Sequence, residues 1–128
     1  MKKSITRIMI LDDEEIVCER IKTLLEKDGY VVEAYLRSED ALERLAEQRF
    51  HILVADLKMS GPKGLDVVRF ARERNPAVKP VVITGFATSE MARQAFEAGA
   101  VEFIAKPFRQ AQIRQLIAKL AADFHPDH

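Results

Sequence analysis

The sequence is poor in the features that would name a function at sight. It holds one cysteine in 128 residues, so no internal disulfide can form and a reducing, cytoplasmic setting is expected. Net charge is missing as well. Twenty Lys and Arg balance twenty Asp and Glu, which argues against a general nucleic-acid-binding surface. No apolar run nears the roughly 20 residues of a membrane-spanning helix. Lys2 and Lys3 resemble the start of a signal segment, but the run Ile8-Met9-Ile10-Leu11 is cut off by Asp12-Asp13-Glu14-Glu15 and is too short for one. Internal repeats, low-complexity tracts and Pro/Gly/Ser linkers are absent too, so no second domain is expected. What remains is an ordinary globular composition, 48% hydrophobic and 31% charged, in a chain long enough to bury roughly two-thirds of its unfolded surface.

The zero net charge conceals an asymmetry. Residues 1–56 carry thirteen acids and nine bases, whereas residues 57–128 carry seven acids and eleven bases. Four of the acids are consecutive, at 12–15.

Hydrophobic periodicity alternates along the chain. Short apolar runs at Arg7–Leu11, Val31–Tyr35, His51–Ala55, Pro80–Thr84 and Val101–Ala105 are rich in Val and Ile, as buried strands are. Amphipathic stretches separate them. The first runs from Glu14 to Asp28 and stops at Gly29, the second follows Ser38 as its N-cap, and the third spans Gly64 to Arg74 before Asn75-Pro76. The last two cover Ser89 to Ala98, closed by Gly99, and Gln110 to Phe124. Such signals predict helix ends. Five strand–helix alternations predict an α/β fold, a doubly wound (βα)5 arrangement in which five helices flank a five-stranded parallel sheet. In such sheets ligands sit outside the C-terminal strand ends, near a topological switch point.

The last residues of the strands give a short inventory: Asp12 and Asp13 after the first, Asp56 after the third, Thr84 after the fourth, Lys106-Pro107 after the fifth. Three carboxylates at one edge repel one another unless a cation joins them. With Lys106 their summed charge is −2, which a divalent ion cancels. Hard carboxylate oxygens suit Mg²⁺, an ion that commonly shares its sphere with phosphate oxygens. Lys106 and the Thr84 hydroxyl then read as phosphoryl binders, and one carboxylate as a nucleophile for the phosphoryl group.

This set, in this order on these strand ends, resembles the CheY-like receiver domain of bacterial two-component response regulators, over about residues 5–122. The segments Val82-Ile83-Thr84-Gly85-Phe86-Ala87 and Phe103-Ile104-Ala105-Lys106-Pro107-Phe108 are most similar to NtrC-type receivers. The resemblance implies a flavodoxin-like fold with strand order 2-1-3-4-5, a receiver over 1–124 and a short tail at 125–128. It implies a signalling switch rather than an enzyme, catalysing at most its own phosphorylation and dephosphorylation. Asp56 takes the phosphoryl group from a phosphohistidine of a sensor histidine kinase or phosphotransfer protein. Asp13 and Asp56 ligate Mg²⁺ directly, Asp12 acts largely through water, and the Lys58 carbonyl completes the protein shell. Lys106 binds the phosphoryl group, Thr84 moves toward it, Phe103 swings into the vacated space, and the Lys106–Pro107 bond is cis. The fourth helix, fifth strand and fifth helix then present the changed state to an output domain or partner protein, or to a second copy in a homodimer formed on phosphorylation.

Two positions depart from the family. The loop Asp56-Leu57-Lys58-Met59-Ser60-Gly61-Pro62 has Ser60 at the usual proline and Pro62 two residues later. Lys58, two residues past the phosphoacceptor, implies an altered phosphoryl lifetime. Other readings stay beside these. Glu14 and Glu15 read as acids favoured at a helix start, Phe103 also reads as plain core, Cys18 as packing, His51 as structural, and His125, Asp127 and His128 as tail. A phosphatase with an aspartyl-phosphate intermediate would place Asp-x-Asp after the first strand. A nucleotide-binding domain would place a glycine-rich turn there. A receiver serving only as a docking surface would not need all five chemical groups.

Overall fold

The computed structural model describes residues 5–57, 63–85 and 87–124. Its elements alternate as the periodicity predicts: β1 (Arg7–Leu11), α1 (Glu15–Lys27), β2 (Val31–Tyr35), α2 (Ser38–Glu47), β3 (Ile52–Asp56), α3 (Lys63–Arg74), β4 (Lys79–Thr84), α4 (Ser89–Ala98), β5 (Glu102–Ala105) and α5 (Gln110–Ala122). All strand pairs are parallel, in the expected order β2-β1-β3-β4-β5. No helix among the described residues is long and apolar enough to cross a membrane.

The two-residue period of the strands divides the core into two layers. Ile8, Ile10, Ile52, Val54, Val81, Ile83 and Ile104 pack with Cys18, Ile21 and Leu25 of α1 and with Ile113 and Ile117 of α5. Met9, Leu11, Leu53, Ala55 and Val82 face the other way, onto Ala41 and Leu45 of α2, Val67, Val68 and Ala71 of α3, and Ala95 and Ala98 of α4. Central strands buried on both faces explain the unbroken apolar runs in the sequence.

Some element ends differ from the expectation. Ser38 is the first residue of α2, and the cap position belongs to Arg37, which makes no side-chain capping bond. The third strand starts one residue later than predicted; His51 nonetheless bonds both neighbouring strands, its N–H donating to Arg7 and its carbonyl accepting from Lys79 (both 2.9 Å). Lys79 joins β4, and Val101 falls outside β5 while still donating to the Pro80 carbonyl at 2.8 Å. Helix α5 ends at Ala122, and Phe124 turns its ring edge-on to His51, with ring centroids 4.9 Å apart. The ring also lies under the Lys79 ammonium, 5.1 Å from its centroid. Gly99 ends α4 as predicted; its φ of +119° is one that L side chains resist, and an added Cβ would meet Arg72 Cγ at 2.7 Å.

Candidate functional site

With β1 second in the sheet and β2 and β3 on either side of it, the chain reverses direction across the sheet between β1 and β3. The C-terminal ends of those two strands therefore frame the switch-point crevice. Three of the strand ends there are extended by one more ladder-like hydrogen bond. The Asp12 N–H donates to the Tyr35 carbonyl (3.1 Å), Leu57 N–H to Ile83 (2.8 Å) and Lys106 N–H to Thr84 (2.8 Å). The backbone thus holds Asp12, Asp56 and Lys106 in register before their side chains interact.

Lys106 is the hub of the side chains. Its Nζ lies 3.1 Å from Asp56 Oδ1, 3.2 Å from Asp12 Oδ2 and 3.6 Å from Glu14 Oε1. Asp12 is buried, and its other oxygen accepts the Glu14 N–H at 2.8 Å. Asp13 is exposed, yet Asp12, Asp13 and Asp56 each offer an oxygen lying within 4.8 Å of the others. Burial, followed by the Asp12 charge, raises the Asp56 pKa, and the hydrogen bond and charge of Lys106 offset this only in part. Burial pulls the Lys106 ammonium down, but hydrogen bonding to Asp56 and the charges of Asp12 and Asp56 outweigh it and leave its pKa raised.

Thr84 is fully buried, and its hydroxyl donates to the Leu57 carbonyl at 2.9 Å. Phe103 is half-buried against the layer that contains Val82. In the register Val82 pairs with Phe103 and Thr84 with Ala105, so Thr84 and Phe103 occupy one sheet face, two residues apart along the strand direction. The Lys106–Pro107 bond is cis. Lys58, expected to lend its carbonyl, lies outside the described residues, as do Ser60, Pro62 and the 125–128 tail.

Two features were not foreseen. Glu14, read as a helix-start acid, also reaches Lys106; its adjacency to Asp12-Asp13 was the available signal. Cys18 does pack, but its thiol also donates to the Asp12 carbonyl at 3.2 Å, and burial together with the Asp12 charge pushes its pKa up to about 11. It is a neutral brace under the site, not a nucleophile.

The arrangement has the parts for phosphoryl chemistry: an oxygen nucleophile, a cation beside it, and hard donors for a divalent ion. Comparison with known proteins agrees. Residues 8–118 match the model of the response regulator receiver domain. The alginate biosynthesis transcriptional regulatory protein AlgB of Pseudomonas aeruginosa is 31% identical over 126 residues, covering 91% of this chain and 28% of that protein; with it the likeness to NtrC-type regulators holds. A CheY-like receiver from Methanospirillum hungatei superposes with a TM-score of 0.86 at 27% identity, covering 96% of this chain and 99% of that one. A response regulator from Burkholderia pseudomallei, solved with a phosphorylated aspartic acid and a calcium ion, has a TM-score of 0.78 at 25% identity, covering 92% and 74%. The chain spans from 25% to 55% of the length of curated relatives such as PilR of Pseudomonas aeruginosa and FixJ of Rhizobium meliloti. Strand order, strand-end residues and a family match over most of the length converge on one statement: this chain belongs to the response regulator receiver domain family.

Proposed function

We propose that the chain is a phosphoryl-accepting switch of a two-component relay in which Asp56 is the acceptor. The observation that carries this reading is the position of Lys106 Nζ, 3.1 Å from Asp56 Oδ1 and 3.2 Å from Asp12 Oδ2, in a crevice where three carboxylates converge. In the transfer, an Asp56 oxygen forms a bond to phosphorus while the P–N bond to a histidine imidazole breaks and its electron pair stays on the ring nitrogen. Lys106 holds one phosphoryl oxygen by charge-assisted hydrogen bonds.

The donor set fits Mg²⁺, since the oxygens are hard and their excess negative charge matches a divalent ion. Asp13 and Asp56 would hold it directly, Asp12 through water, with the Lys58 carbonyl as the remaining protein ligand. When bound, the ion would neutralise charge on the phosphoryl oxygens. The phosphorylated aspartic acid and calcium ion of the Burkholderia relative support the same chemistry here.

Thr84 would release the Leu57 carbonyl and turn its hydroxyl to a phosphoryl oxygen, and Phe103 would move into the space on that face. A local charge change then shifts the population of a two-state element. The α4, β5 and α5 surface would transmit the state to an output domain or protein, or to a second copy. Transcriptional regulators among the relatives support such an output. The donor would be a sensor histidine kinase or phosphotransfer protein in the cytoplasm.

The test is incubation with Mg²⁺ and a small-molecule phosphodonor, followed by intact mass spectrometry. A labile single-phosphoryl adduct is expected, and it should vanish in Asp56→Asn. No adduct, or one undiminished in the variant, overturns the reading.

A further inference from the structure

Lys106 has a third carboxylate partner that neither the acceptor nor the ion site requires. Glu14 Oε1 lies 3.6 Å from Lys106 Nζ, and the Glu14 side chain is 60% exposed where those of Asp12 and Asp56 are 5% and 8%. It therefore stands on the solvent side of the ammonium, at the mouth of the crevice. Its place is fixed by the backbone: Glu14 is the residue before α1, and its N–H is held by Asp12 Oδ1 at 2.8 Å. It also borders the groove between α1 and the start of α5, together with Val17, Arg20 and Pro107. Its charge reaches the acceptor, adding to the effects that raise the Asp56 pKa.

An incoming donor meets this carboxylate before it meets Lys106. A donor whose reacting end is a bare dianion is repelled by Glu14, and it must also displace Glu14 from the ammonium. A donor with a cationic group beside its phosphorus offsets the repulsion. We propose that Glu14 is a specificity-determining residue for the phosphodonor, disfavouring small dianionic acyl phosphates relative to nitrogen-linked donors. The proposal rests on Asp56 being the acceptor. In either case an Asp56 oxygen bonds phosphorus. The P–O bond of acetyl phosphate breaks with its electron pair leaving on acetate, or the P–N bond of zwitterionic phosphoramidate breaks to release ammonia.

The experiment measures phosphorylation rates of the full chain with Mg²⁺, using acetyl phosphate and phosphoramidate at low and high ionic strength. Wild type, Glu14→Gln and Glu14→Lys are compared, and thermal melts check that all three are folded. Glu14→Gln keeps the backbone bond to Asp12. It should raise the acetyl phosphate rate about fivefold at low salt, the size expected for removing one unit charge at close range in a water-like dielectric. The phosphoramidate rate should change by less than about twofold, the contrast should fade by about 0.5 M salt, and Glu14→Lys should exceed Glu14→Gln. An equal change for both donors, a contrast indifferent to salt, or no change in either variant overturns the proposal while leaving Asp56 as the acceptor. Failure of the wild type to take a phosphoryl group from either donor overturns that assignment, and the proposal with it.

Discussion

Neutralising the acceptor should stabilise the fold when no divalent ion is present, although Asp56 takes part in an ion pair. Asp56→Asn removes the 3.1 Å attraction to Lys106 together with the repulsion from Asp12, whose nearest offered oxygen is no more than 4.8 Å away. At an effective dielectric of about 40, the attraction is worth about 2.7 kcal/mol and the Asp12 repulsion at least about 1.7 kcal/mol. Asp13 adds a more screened repulsion, and burying the charge adds a desolvation cost. The raised pKa of Asp56 says which side wins: repulsion and burial exceed the pairing. Asparagine still accepts a hydrogen bond from Lys106, and Lys106 keeps Asp12. A gain in stability is therefore expected, and each 1 kcal/mol of it would raise the melting temperature by about 4 °C in a domain of this size. The assay is urea unfolding in EDTA, followed by far-UV circular dichroism. Adding Mg²⁺ should close the gap, because an ion that binds only the folded state stabilises it in proportion to the logarithm of its saturation ratio and the variant has lost a ligand. A variant less stable than wild type in EDTA would refute the charge argument. Equal stabilisation of both proteins by Mg²⁺ would refute the assignment of Asp56 as a ligand.

Away from the site, Glu33 on β2 accepts from Arg44 of α2 at 2.7 and 3.0 Å and from the Tyr35 hydroxyl at 2.5 Å, and the Arg44 hydrogen bond is the largest influence lowering its pKa. Its contribution is therefore complete above the ordinary glutamate value and lost as pH falls through the lowered one; Glu33→Gln should be destabilising at pH 7, and acid unfolding curves of the two proteins should converge only once the pH is below that lowered value. Gly99→Ala forces a side chain to φ +119° and against Arg72; a loss of about 1–2 kcal/mol is expected in denaturant melts, and an unchanged midpoint would contradict it. Lys58→Asn should change the half-life of the Asp56 phosphoryl group, followed by loss of the mass adduct after donor removal, and an unchanged half-life together with unchanged Mg²⁺ affinity would refute a role for Lys58.

The parts of the molecule legible in the sequence are those set by short-range periodicity. Ile8 and Ile10 must face one layer and Met9 and Leu11 the other, because successive strand residues point oppositely. Once five such strands lie parallel, their last residues converge, and Asp12, Asp56, Thr84 and Lys106 needed no further information to be grouped. Ser38 lies inside α2 and does not cap it because a cap contributes only about 1 kcal/mol, less than burying Ala41 and Leu45, so packing sets the helix phase and Arg37 takes the cap position. Contacts between distant residues leave no periodic trace at all. The Thr84 hydroxyl meets the Leu57 carbonyl, and His51 meets Phe124, through turns whose course depends on the packed layers beneath them. Glu14 shows the limit most sharply. An acid beside a helix start is favoured by the helix dipole whether or not anything faces it, so composition and position explain it fully without reference to Lys106, 92 residues on in the chain. Only the fold brings the two within 3.6 Å, and with that contact a residue whose helix-start role already accounted for its presence acquires a second use at the mouth of the site.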